Sequence, residues 1–96
     1  MTALLEPLEP DAARRLLRTI LATGRVIFSN HALDEMEQDA ITQADVIRVL
    51  RGGTVEPAEF EHGSWRYRVR AQTLCVVATF RSDVAAVIVT AWRVGR

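Results

Sequence analysis

Apolar residues recur at helical spacing through the first half of the chain and at strand spacing through the second. Ala13, Leu16, Leu17, Ile20 and Leu21 fall at i, i+3, i+4 intervals on one helix face, with Arg14, Arg15 and Arg18 turned away. Pro10-Asp11 opens that helix, since proline suits a first turn and an acid there complements the dipole; Gly24 stops it. Arg25 to Phe28 is a short apolar segment, a brief strand or an extended lead-in. Ser29 caps a second helix over Asn30 to about Gln38, with Ala32, Leu33 and Met36 inward. Thr42 and Asp45 stand at capping-box spacing ahead of a third, which turns Val46, Ile47, Val49 and Leu50 inward and ends at Gly52-Gly53.

Everything afterwards reads as strand. Thr54 to Phe60 is broken by Pro57 and reads as an edge strand or as a loop with a short strand in it. His62-Gly63-Ser64 turns the chain into Trp65 to Arg70. Leu74 to Phe80 is nearly all apolar, as a strand buried on both faces would be. Val84 to Arg93 is a last β-branched strand after a turn at Arg81-Ser82-Asp83. Short loops between successive strands imply an antiparallel meander. The expected class is α+β, with two to three N-terminal helices packed on one face of an antiparallel four- to five-stranded sheet. One domain over 1–96 is expected: a flexible leader over 1–9, a helical half over 10–51 and a sheet over 54–93.

The strand Ser64-Trp65-Arg66-Tyr67-Arg68-Val69-Arg70 has the most one-sided chemistry in the chain. Alternation puts Trp65, Tyr67 and Val69 on one face and three arginines on the other, each roughly 7 Å from the next. Arginines that merely wet one face of a sheet are common. Here they have company: Arg81 ends an adjacent strand, Trp92-Arg93 another, and His31 lies in a helix's first turn. Tyr67 reads as a core aromatic with its hydroxyl at the rim.

Charge sharpens this picture. Net charge is zero, but residues 1–48 carry five arginines against eight acids and residues 49–96 seven against four, a split of −3 and +3. Every basic residue is arginine, a planar and permanently charged fork suited to phosphate or carboxylate. A neutral protein contacts nucleic acid only through a local patch. No apolar run approaches the ~20 residues that span a bilayer, and Glu6, Pro7, Glu9 and Pro10 break any signal-peptide pattern. The single cysteine, Cys75, forms no internal disulfide and fits a reducing cytoplasm. Its apolar strand also suits a small hydrophobe better than a nucleophile. Two distant histidines and one cysteine make no metal motif, and no cofactor is expected.

The arginine group has a concrete use. RNA cleavage by its own 2′-hydroxyl passes through a dianionic phosphorane, which preorganised guanidinium groups stabilise. His31, near a helix N-terminus that disfavours its cation, suits a hydrogen-bonding strut or a neutral base equally. As a base it can take the 2′-hydroxyl proton, and an arginine or imidazolium can serve the leaving 5′-oxygen.

The ordered set Phe28-Ser29-Asn30-His31-Ala32, Met36, Ile41-Thr42, Asp45-Val46, Val49 to Gly53, Trp65 to Val69, Cys75-Val76-Val77, Phe80-Arg81 and Val89 to Arg93 carries a family resemblance. Over roughly residues 26–93 the chain resembles the bacterial domain-of-unknown-function family 4258, small proteins that look like the MqsR and BrnT toxins. The resemblance implies a RelE-like fold and a metal-independent endoribonuclease of a toxin–antitoxin pair. It also implies a cognate antitoxin, often MqsA-like, with zinc-finger and helix-turn-helix parts. The family's His-Ala pair falls on His31 and Ala32, its aromatic-basic strand on Trp65 to Val69, and its Thr-x-x-basic element on Thr90 and Arg93. Glu35 and Asp39 stand where many relatives carry arginine, and the lysines of MqsR have no counterpart.

The site expected from residues and resemblance together has His31, Arg66, Arg68 and Arg93 as catalytic groups. Arg70, Arg81, Tyr67 and Thr90 are expected to bind RNA phosphate. RNA and an antitoxin are the expected partners, with no membrane. Two other readings stay open: a non-catalytic module whose arginine face docks an acidic protein, and a sheet edge that serves as a homodimer seam.

Overall fold

The stop and start signals of the helical half are used as expected. In the computed structural model, which describes residues 4–94, α1 spans Pro10–Thr23, α2 Asn30–Gln38 and α3 Gln43–Gly52. The Ser29 hydroxyl accepts from the Ala32 N–H, and Thr42 and Asp45 form a full capping box. Each cap satisfies donors that a helix start leaves orphaned. The backbone N–H of Thr42, donating to the Asp45 carboxylate, holds that group's pKa below its ordinary value. Gly53 ends α3 where a Cβ would lie 2.7 Å from the Val49 carbonyl oxygen and 2.9 Å from Val69 Cγ1. Helix and sheet leave no room there for a side chain.

The strands are β1 (Arg25–Phe28), β2 (Thr54–Val55), β3 (Glu59–Glu61), β4 (Ser64–Arg70), β5 (Leu74–Ser82) and β6 (Ala85–Arg93). They form one sheet ordered β1-β6-β5-β4-β2, and β3 also pairs with β4, along its first residues. Pro57 separates β2 from β3, so the edge expected over Thr54 to Phe60 is present in two pieces. His62 and Gly63 have φ of 51° and 82° and close a two-residue hairpin, the conformation such a tight turn requires.

Two features differ from the expected meander. The sheet has six strands rather than four to five, and β1 runs parallel to β6 from Arg25↔Ala85 to Phe28↔Ile88. No hairpin joins these two strands, because α2, α3 and four strands separate them in sequence, so nothing local imposes antiparallel pairing. The Arg25 and Ser29 N–H groups donate to the Val84 and Ile88 carbonyls and bracket the parallel pair. The expected leader also differs. Residues 1–3 lie outside the described residues, while Leu4 and Leu8 pack against the core. The Leu8 N–H donates to the Tyr67 hydroxyl, which donates to Glu6. Partly burying two leucines and pairing a buried phenol hold residues 4–9 in place.

All three helices lie on one face of the sheet, as expected. Tyr67, Val69, Leu74, Val76, Ala78, Phe80, Ala86, Ile88 and Ala91 point into a single core with Leu17, Ile20, Met36, Val46, Val49 and Leu50. Tyr67 is the largest fully buried side chain, its ring 5.0 Å from that of Phe80. No described helix is long and apolar enough to cross a membrane.

Candidate functional site

Strand alternation assigns the remaining side chains to the face without helices. Across β4, β5 and β6 the register aligns Arg68 with Val77 and Thr90, and Arg70 with Cys75 and Trp92. Cys75 and Val77 are buried yet stand apart from the helix-side core. They form an apolar floor between an arginine row on β4 and Thr90 and Trp92 on β6. At sheet spacing, Arg68 and Thr90 are roughly 10 Å apart across the floor. This surface is open. A cavity of about 300 Å³ lies around Gly52, Gly53 and Ala71 at the end of α3, and one of about 530 Å³ reaches from there to Arg70 and Glu56 at the end of the row. A flat, basic strip suits an extended chain better than a small enclosed ligand.

The three arginines of the row are not equivalent. Arg70 Nε donates to Glu56 at 2.7 Å, and that bond raises its pKa further. Arg68 stands 3.5 Å from Glu59. Both pairs are partly exposed, and exposed pairs are weak. Arg66 faces Glu59 in register but makes no ion pair among the described residues. Its Nε is buried without a hydrogen-bond partner, the one such side-chain atom among the described residues. A buried donor left unsatisfied costs free energy, and an acceptor from outside reaches it only if the side chain shifts.

The other expected residues divide. His31 is exposed in the first turn of α2. That turn is pinned to β6: the Ser29 N–H donates to the Ile88 carbonyl and the Ser29 hydroxyl to the Val89 carbonyl. Val89 is skipped in the β5–β6 register, so Ser29, two residues before His31, is anchored at a bulge immediately before Thr90. Arg81 is exposed, skipped in a second register shift at the far end of β5. It stands apart from the Arg68–Thr90 row.

Arg93 and Tyr67 are not on this face. Arg93 follows Ala91 toward the helix side, where its Nε and Nη2 donate to the Asp39 and Ala40 carbonyls and its N–H to the Asp39 carboxylate. It closes the C-terminus of α2, where Ala40 adopts φ 55°. Strand alternation explains the displacement: Thr90 and Arg93 are three residues apart, so one faces out when the other faces in. Tyr67 is fully buried among the helices. Trp92, which shares the open face with Thr90, was missing from the expected site. The same alternation would have found it.

Burial first, and then Glu6 beside it, push the Tyr67 phenol up to about 12, against an opposing hydrogen bond from the Leu8 N–H. Burial also raises the Cys75 thiol, with Arg70 acting the other way. Both groups bind their protons more tightly folded than unfolded. The stability they contribute is complete below their ordinary values of 9.0 and 10.0 and falls as pH rises beyond them. Thermal melts should therefore decline from about pH 9 toward pH 12. Tyr67→Phe should melt lower at neutral pH yet lose the part of the decline between 10 and 12. An unchanged decline in that variant would contradict the assignment.

Among the described residues no three His, Cys, Asp or Glu side chains gather into a metal-holding group. No curated protein and no solved structure matches the chain. One family does: Domain of unknown function (DUF4258), over residues 28–93, from the end of β1 to the end of β6. That span covers α2, α3, the bulge that Ser29 is bonded to and the whole arginine face, and the chain belongs to the DUF4258 family.

Proposed function

We propose that this protein is a cytoplasmic toxin of a toxin–antitoxin pair, an endoribonuclease with a RelE-like fold related to the MqsR and BrnT toxins. RNA lies along the open sheet face. Arg66 and Arg68 hold the scissile phosphate, Arg70 a neighbouring one, and Thr90 lines the opposite bank. The His31 imidazole takes the 2′-hydroxyl proton, the 2′-oxygen attacks phosphorus, and the P–O5′ bond breaks. The 5′-oxygen leaves with a proton from the imidazolium. Charge that builds on the phosphorane is met by guanidinium groups already in place. The observation that carries this reading is the arginine row itself, set beside an apolar floor, in which Arg66 makes no ion pair among the described residues. Arg93 and Tyr67 have no part in it, because both serve the helix side.

Expression in a bacterial host should arrest growth, and co-expression of a cognate antitoxin should relieve it. His31→Ala should also relieve the arrest while the variant accumulates as folded protein. Arrest that persists in His31→Ala would remove the histidine from the mechanism, and no arrest at all would remove the toxin.

A second reading has its own observation. Arg68 and Arg70 each already hold a carboxylate, so the face also fits an acidic segment of a partner protein. In that version RNA stays intact at high protein concentration, and double-mutant cycles couple these arginines to the partner's acids.

A further inference from the structure

The two occupied arginines of the row lose their freedom to one short stretch of chain. Glu56, just after β2, and Glu59, the first residue of β3, lie on either side of Pro57 and stand beside Arg70 and Arg68 respectively. Both strands lie along the same edge of β4, so the stretch runs parallel to the row and sets its carboxylates at successive arginines. Two further observations separate this from scattered surface pairing. The third arginine, Arg66, has no such carboxylate although Glu59 is its partner in register. The β3 strand is also slight: three exposed residues, Glu59-Phe60-Glu61, paired among the described strands with β4 alone.

We propose that Glu56 and Glu59 act as a built-in competitor for the anion-binding row, so that the face selects extended polyanions able to displace both carboxylates together. This rests on the reading of the open face as an RNA-binding surface. An isolated anion can exchange with only one carboxylate and gains little, since it replaces one charge pair by another. A single-stranded RNA engages Arg66 without competition, and the phosphates that follow are then delivered to Arg68 and Arg70 at high effective concentration. Phosphate wins through valency. Each displaced carboxylate must take back a diffuse cation as the RNA sheds one, so the native protein binds RNA with a shallower salt dependence than three arginines would give.

The test compares the native chain with Glu56→Gln/Glu59→Gln by fluorescence anisotropy over a range of salt concentrations. The probes are a labelled single-stranded RNA decamer with 2′-O-methyl riboses, which has no free 2′-hydroxyl to attack, and labelled inorganic polyphosphate. Glu9→Gln/Glu37→Gln changes net charge equally at sites remote from the row and serves as control. Circular dichroism confirms that each variant is folded. The masking variant should bind RNA roughly tenfold more tightly at low salt, with a log–log salt slope steeper by up to ~1.4, about 0.7 for each freed arginine. The control should change affinity by less than about twofold, as remote exposed charges are largely screened. Equal tightening in the control, or RNA binding unchanged in the masking variant, would overturn the competitor. Tightening for polyphosphate with no RNA binding by either form would keep the competitor and reject the RNA reading. Failure of the masking variant to bind either probe would overturn both.

Discussion

Arg66→Ala should slow RNA cleavage about 10²- to 10³-fold, the loss that follows removal of one preorganised donor from a transition-state anion. Arg66 is singled out because its neighbours are engaged by Glu59 and Glu56, while it makes no ion pair among the described residues. Removing it leaves no core cavity, since its side chain lies on the face opposite the helices, so the variant should fold and melt close to the parent. Arg93→Ala should do the reverse. Its donors hold the Asp39 and Ala40 carbonyls at the end of α2, so its loss should lower the melting temperature. Cleavage per folded molecule should stay unchanged. Measured with one RNA, the two substitutions give a crossed result. If Arg93→Ala lost activity while still folded and Arg66→Ala did not, the catalytic face would be on the wrong side of the sheet.

Tyr67→Ala should cost about 3–5 kcal/mol, the range for deleting a large buried aromatic side chain. That is a large share of the roughly 5–14 kcal/mol expected for a domain of this length. The midpoint should fall by roughly 15–30 °C. Three contacts are lost together: the ring against Phe80, the hydroxyl to Glu6, and the acceptor for the Leu8 N–H. The segment over residues 4–9 should loosen at the same time, because both hydrogen bonds that tie it to the sheet end on this one hydroxyl. Hydrogen exchange at the Leu8 amide reports that directly. Tyr67→Phe separates the terms: it keeps the ring packing, so its cost should be smaller, while Leu8 exchange should rise as far. A Leu8 amide that stayed protected in both variants would show that leucine packing alone holds the segment.

The helices were legible because each boundary has a local chemical cause. Pro10, Ser29, Thr42 and Gly53 act within a turn of their own positions, and the apolar spacing needs no distant partner. The inward and outward residues of β4 were legible for a similar reason, since alternation is a property of one strand. What sequence could not supply is register between strands. β1 has four residues, too few to announce a partner, and its parallel pairing depends on which edge of β6 is free. The pairing of Arg68 and Arg70 with Glu59 and Glu56 depends on how an edge strand resumes after Pro57. Residues 4–9 read as leader because their prolines and glutamates outweigh two leucines, and only the fold shows what those leucines cover. The misplacement of Arg93 is different in kind. Thr90, Trp92 and Arg93 sit in one strand, and their alternation was available from the start.

The central claim is that guanidinium groups on an open sheet face, with an imidazole at its rim, cleave RNA through its own 2′-hydroxyl. Purified protein incubated with single-stranded RNA in excess EDTA tests this most directly, with the chemistry of the new ends as the readout. Attack by the 2′-oxygen predicts 2′,3′-cyclic phosphate on one fragment and a 5′-hydroxyl on the other. RNA that stays whole at high protein concentration, or fragments bearing 5′-phosphate, would contradict the account.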